Sequence, residues 1–101
     1  MGDGKPWDET QAGRDREIAE SFGAALKRER RRAHVTQAAL AERSGLHPTT
    51  VSMIERGLRQ PSLGVAFRLS LALGLSGIHL ASVVLSEIEG RGGLSGVDAP
   101  H

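Results

Sequence analysis

Residues 36–57, TQAALAERSGLHPTTVSMIERG, decide how this chain folds. Thr36 offers a free hydroxyl as a helix N-cap, and Ala38, Leu40 and Ala41 behind it fall at helical spacing. Gly45 stands where a helix stops with one residue in the left-handed conformation. Beyond it, Val51 and Ile54 lie three apart on an inward face, while Thr49, Thr50, Ser52 and Met53 point elsewhere. The small pair Ala41 and Gly45 lets the two segments approach closely at a steep angle, and Gly57 ends the second segment. Any one of these features also suits an ordinary αα-hairpin. Together, at this spacing, they describe a helix-turn-helix whose second helix can enter the major groove of DNA.

Working outward, the pattern predicts five helices at 15–33, 37–44, 48–56, 62–73 and 77–89, and the fold class is all-α. Helix 1 places Ile18, Phe22 and Leu26 on one stripe beside Ala25. Ser62 after Pro61 is a natural N-cap for helix 4, with Gly74 its stop. By spacing, helix 4 buries Leu63, Ala66, Phe67, Leu69 and Leu73, and it carries Leu71 off that stripe. Helix 5 is apolar on more than one face, through Ile78, Leu80, Ala81, Val83, Val84, Leu85 and Ile88. A helix apolar nearly all round is buried on two sides. The second side is either another copy of the chain or, for residues 83 to 88, the chain's own core. The first alternative gives a homodimer interface of Leu71, Ile78, Ala81, Val84, Leu85 and Ile88. Residues 1–14, with the single Trp7, read as a flexible N-terminal arm, and the glycine-rich residues 90–101 as a flexible tail. Residues 15–89 form the domain between them.

Composition narrows the function. A chain of 101 residues supports one compact core and leaves no room for a separate ligand-binding domain. It has no cysteine, so no disulfide or thiolate metal site is available. No apolar run reaches membrane-spanning length and no signal-peptide core follows Met1, which makes the cytoplasm, on the nucleoid, the expected compartment. The net charge of +1 hides a strong asymmetry. Residues 27–68 carry nine Lys or Arg against three Glu, a net +6, and the remainder carries −5. Basic excess thus coincides with the helix-turn-helix, as phosphate neutralisation requires. For Lys27 and Arg28 in the run KRERRR, a merely solvated helix face accounts for the charge equally well.

From Phe22 to Leu85 the chain resembles the Cro/C1-type (XRE-family) helix-turn-helix domain of phage repressors and bacterial regulators. The resemblance rests on Arg30, on Thr36-Gln37, on LAERSG at 40–45, on IERG at 54–57, on PSL at 61–63 and on ALGLS at 72–76. It departs from the family at His34, where glycine is usual, at Glu29, often apolar, and at Ser70, commonly alanine. The resemblance implies a five-helix lambda-repressor-like DNA-binding domain that needs no cofactor. It implies a sequence-specific transcriptional regulator, repressor or controller, that reads a palindromic operator in double-stranded DNA as a homodimer through helix 3. The outward positions of helix 3, for base contacts, are then His47, Pro48, Thr49, Thr50 and Met53. Gln37 matches the glutamine that grips the DNA backbone, and Arg43, Ser52, Arg59 and Gln60 are further phosphate candidates. Arg30 and Glu55 match an internal ion pair that fixes the angle of helix 3.

Catalysis finds no support in the sequence. His34, His47, His79 and His101 are far apart, none makes a metal pair, and no cysteine nucleophile, phosphate-binding glycine loop or paired-carboxylate constellation occurs. The competing function is a protein-binding module, an antitoxin or regulator partner, on the same scaffold. Met53 and Pro48 lean that way, whereas the +6 block and Gln37 lean towards DNA.

Overall fold

Five helices follow one another: α1 (Glu9–Arg32), α2 (Gln37–Ser44), α3 (Pro48–Glu55), α4 (Leu63–Ala72) and α5 (Gly77–Gly90). The computed structural model describes residues 9–75 and 77–93, without the side chains of 9, 10, 77 and 78, and no strand occurs among the described residues. One apolar cluster joins all five helices. Phe22 and Leu26 come from α1, Leu40 and Ala41 from α2, Val51 and Ile54 from α3, Leu69 from α4 and Leu80 from α5. Each large side chain removed from water in this way stabilises the fold by about 1.5–3 kcal/mol. The long α1 packs on α3 and α5, while α2 packs on α3 and α4.

The α1–α3 crossing depends on a residue that the sequence did not single out. A Cβ on Gly23 would lie 2.7 Å from the Glu55 carbonyl oxygen and closer still to that of Ile54. Only glycine lets the two backbones meet there. Around the far side, α5 is clasped to α1 by charge. Arg28 Nη1 donates to Glu87 Oε1 at 2.8 Å, and Arg91 bridges Glu87 at 3.2 Å and Glu20 at 3.6 Å.

Helix stops follow one design. Gly45 has φ 69°, its N–H donating to Glu42 O while Leu46 N–H reaches back to Ala41 O. His34 ends α1 in the same way, with φ 58°, and Val35 N–H reaches Arg30 O at 3.1 Å. The glycine usual at this position therefore has a physical reason, and His34 occupies a left-handed conformation that side chains disfavour.

Three expectations are corrected. α1 begins at Glu9 rather than residue 15, so residues 9–14 of the expected arm are helical. Glu9, Gln11, Ala12 and Arg14 extend an existing helix, which is easier than nucleating one, and Gly13 costs too little to stop it. Trp7 lies outside the described residues. At the other end, residues 91–93 close α5 with a turn in which Gly93 N–H donates to Ile88 O at 2.9 Å; residues 94–101 lie outside the described residues. In α4, Leu63 and Phe67 face solvent, 71% and 48% exposed, whereas Leu69 is fully buried with Ala66 and Leu73 packed nearby. Because α4 is apolar nearly all round, periodicity could not choose its inner face, and polar Ser70 turns inward instead.

Candidate nucleic-acid interface

Local chemistry sets both helices of the motif. Thr36 caps α2, its hydroxyl accepting from Ala39 N–H at 3.0 Å. His47 caps α3 through Nδ1, which accepts from Thr49 N–H at 3.1 Å. Pro48 takes the first helical position, where its missing N–H is not needed. Val51 and Ile54 are buried, which anchors the rear of α3 and turns His47, Pro48 and Thr49 to the surface. Thr50, Ser52 and Met53 are half-buried on the flanks.

Behind this surface lies a polar anchor. Arg30 Nε donates to Glu55 Oε2 at 2.6 Å and Nη2 to Oε1 at 3.0 Å, a two-pronged grip on the last residue of α3. Arg30 Nη1 also donates to Val35 O at 2.8 Å, which ties in the loop before α2. The Glu55 hydrogen bond raises the Arg30 guanidinium above its ordinary value, so the cation persists at every workable pH. Gln37 Nε2 donates to Glu55 Oε1 at 2.9 Å, so the first residue of α2 joins the same network. One amide hydrogen of Gln37 is thereby used internally; its second N–H and its oxygen have no part in that bond.

The remaining cations spread wider than the sequence suggested. Arg43 is exposed at the opposite end of α2 from Gln37, about 9 Å along the axis. There it lines a shallow groove with Glu42, Gly45, Leu71 and Arg68. Arg68, which the motif reading passed over, donates from Nη2 to Gly45 O at 3.4 Å and braces the turn of the motif. Arg59 and Gln60 are exposed in the loop that leaves α3. Arg28 is engaged by Glu87, leaving its charge on the α1–α5 side.

The candidate dimer residues divide. Leu71 is 74% exposed and Leu85 58% exposed, and Ala81 is also exposed. Val84 packs partly against its own core, and Ile88 is half-buried beside Glu17, Glu20 and Ser21. The Ile78 side chain lies outside the described residues.

Comparison with known proteins agrees with this geometry. The helix-turn-helix family profile matches residues 26–80, more than half of the chain. Over 54 residues, 54% of its length, the chain is 43% identical to the HTH-type transcriptional regulator Rv0474 of Mycobacterium tuberculosis strain H37Rv, and it spans 39% of that protein. The clp gene regulator ClgR of Corynebacterium glutamicum superposes with a TM-score of 0.71 at 29% identity, over 74% of this chain and 80% of that one. The restriction-modification controller protein C.AhdI of Aeromonas hydrophila gives 0.60 at 34% identity, over 61% of this chain and 94% of that one. With two capped helices across a glycine turn and an Arg30–Glu55 anchor behind them, the chain belongs to the Cro/C1-type (XRE) helix-turn-helix family of DNA-binding transcriptional regulators.

Proposed function

We propose that this chain is a sequence-specific regulator that binds an inverted-repeat operator as a homodimer, with α3 in the major groove of each half-site. The single observation that carries this reading is the division of α3. Val51, Ile54 and Glu55 hold its rear rigidly, while His47, Pro48 and Thr49 stand exposed at the N-terminal end, the end that meets base edges. Gln37 and the loop residues Arg59 and Gln60 supply the phosphate contacts, with Ser52 at the flank. Arg43, at the far end of α2, is the outlying candidate of this group.

One recognition helix covers too few base pairs to compete against a genome of other sites. A two-fold pair solves this, and the exposed apolar side chains Leu71, Ala81 and Leu85 supply its contact, flanked by Ile88 and Val84. Half-site centres then lie about 10 base pairs, roughly 34 Å, apart. The protein acts on the nucleoid, with no cofactor and no catalytic step.

A titration of labelled duplex at several salt concentrations tests the reading. Log affinity falls with log salt at about −0.9 per phosphate contacted. Arg59→Ala weakens all sequences alike and flattens that slope, whereas Thr49→Ala weakens mainly the selected site, by about 1–3 kcal/mol for each base edge it no longer reads. Equal losses on selected and random DNA for Thr49→Ala would refute the placement of α3. The exposed stripe Leu63, Phe67 and Leu71 favours a second reading, a protein-binding module. Absence of any shift of bulk genomic DNA at low salt would decide for it.

A further inference from the structure

The cap of α3 fixes the chemistry of the first residue on the recognition surface. Every amide of that first turn can be accounted for. Pro48 has none, Thr50 and Val51 both donate to His47 O at 2.9 and 3.3 Å, and Thr49 donates to His47 Nδ1 at 3.1 Å. A ring nitrogen that accepts from an amide carries no proton, so the proton of the neutral imidazole is on Nε2. Turning the ring over would exchange Nδ1 for a carbon and leave Thr49 N–H without its acceptor, which the helix start opposes. Because His47 is exposed, the Nε2–H edge is the part of the side chain free to meet a ligand.

Building on the placement of α3 in the major groove, we infer that His47 reads DNA as an obligate hydrogen-bond donor through Nε2–H. Among the five outward residues it is the one whose free polar group can only donate. Thr49 and Thr50 hydroxyls donate or accept, Pro48 has no polar side-chain group, and Met53 offers only a weak acceptor sulfur. A donor held in one orientation needs an acceptor opposite. Guanine presents two adjacent acceptors, N7 and O6, on its major-groove edge, whereas adenine pairs its N7 with an amino donor, thymine sets a lone O4 beside its methyl group, and cytosine shows a donor alone. Guanine, with two acceptors side by side and no donor or methyl group next to them, is therefore the base that His47 favours over adenine N7 and thymine O4. A phosphate oxygen offers the same acceptor chemistry without sequence information.

Two measurements on the full chain test this. Long-range proton–nitrogen NMR correlations report the tautomer directly, and the expected result is Nε2–H with unprotonated Nδ1. Oligonucleotides selected from a random pool then define the site for the wild type, for His47→Ser and for His47→Asp. Both substitutions keep a capping oxygen, so their melting temperatures stay close to wild type, but a capping Ser hydroxyl is too short to reach the base edge that Nε2–H meets and an Asp carboxylate has no proton to donate. The expected result is a guanine preference at one symmetry-related position, absent from both variants. Replacing that guanine with 7-deazaguanine should lower wild-type affinity about tenfold and leave His47→Ser unchanged. If the acceptor is a phosphate, a neutral methylphosphonate at one linkage produces the loss instead, with no base preference, and the donor assignment stands while the guanine assignment falls. An Nδ1–H ring, or a His47-dependent loss on blocking a cytosine amino group, would overturn the inference. Failure to enrich any duplex would count against the operator reading, and the NMR result would still decide the tautomer.

Discussion

Removing Arg30 tests the anchor of α3 most severely. The Arg30 side chain is 11% exposed and that of Glu55 only 1%, and they are joined by two hydrogen bonds of 2.6 and 3.0 Å. Arg30→Ala leaves the Glu55 carboxylate buried with Gln37 as its remaining side-chain donor, and it also strips Val35 O of its partner. Breaking one side of a buried pair costs about 3–5 kcal/mol, because the other charge stays desolvated. Gln37 offsets part of this, so the expected loss is about 3 kcal/mol. For a domain of this size each kcal/mol is worth roughly 4–8 °C, which predicts a fall of about 12–24 °C in Tm. Thermal unfolding followed by circular dichroism measures it. The paired replacement Arg30→Met with Glu55→Leu should cost less than Arg30→Ala alone, since no buried charge is stranded. A wild-type Tm for Arg30→Ala, combined with abolished DNA binding, would refute the reasoning and place Arg30 on the DNA backbone.

Three further outcomes follow from single side chains. His34→Gly relieves the left-handed strain at the end of α1 and should raise stability by about 0.5 kcal/mol after the extra freedom of the unfolded chain is subtracted, whereas His34→Val should lower it; chemical denaturation resolves both. Ser70 Oγ is buried with no hydrogen-bond partner among the described residues, so Ser70→Ala should stabilise by about 1 kcal/mol, and a lower Tm would mean that the hydroxyl has a partner in solution. Hydrogen bonds from Arg28 and then Arg91 hold the Glu87 carboxyl below its ordinary range. Its contribution is therefore present above the unfolded carboxylate pKa of about 4.3 and lost as pH falls through the folded value; Glu87→Gln should flatten the acid limb of the stability curve by about 0.5 kcal/mol, an effect that 1 M salt reduces.

Legibility in the sequence followed the strength of the physical signal. The ends of α2 and the start of α4 were readable because each carries its own chemistry: Thr36 and Ser62 cap their helices, and Gly45 turns the chain after α2. α4 was misread because nearly every position is apolar; with Leu63, Val65, Phe67, Leu69, Leu71 and Leu73 so close together, no period separates inside from outside. The inward choice is made by what α2 and α5 present, which is a tertiary fact. Gly23 escaped notice for a related reason, since a glycine within a helix announces a close approach only when the partner backbone is known. Gln37 and the Arg30–Glu55 pair were read as separate devices, one for DNA and one for the fold. Their union at Glu55 Oε1 depends on a 2.9 Å hydrogen bond between residues 18 apart, and no local spacing encodes it.

That union bears on how such a surface achieves selectivity. The strong polar groups around the motif, Arg30 of α1, Glu55 and one N–H of Gln37, are engaged inside, and the outer face of α3 retains one histidine, two threonines, a proline and a methionine. The figure of about 1–3 kcal/mol belongs to a good bidentate base contact, and none of these side chains is a bidentate reader, so on the proposed reading one half-site provides at most a few kcal/mol of discrimination. Regulators separate specific from non-specific DNA by about 4–10 kcal/mol. A single copy of this face therefore lies at or below the lower bound, and two copies reading symmetric half-sites bring the sum within range. The modest chemistry of α3 is thus itself an argument for the two-fold assembly, independent of the exposed leucines of α4 and α5. A rigid anchor serves the same end, because weak contacts discriminate only when the helix that carries them cannot tilt to accommodate the wrong base.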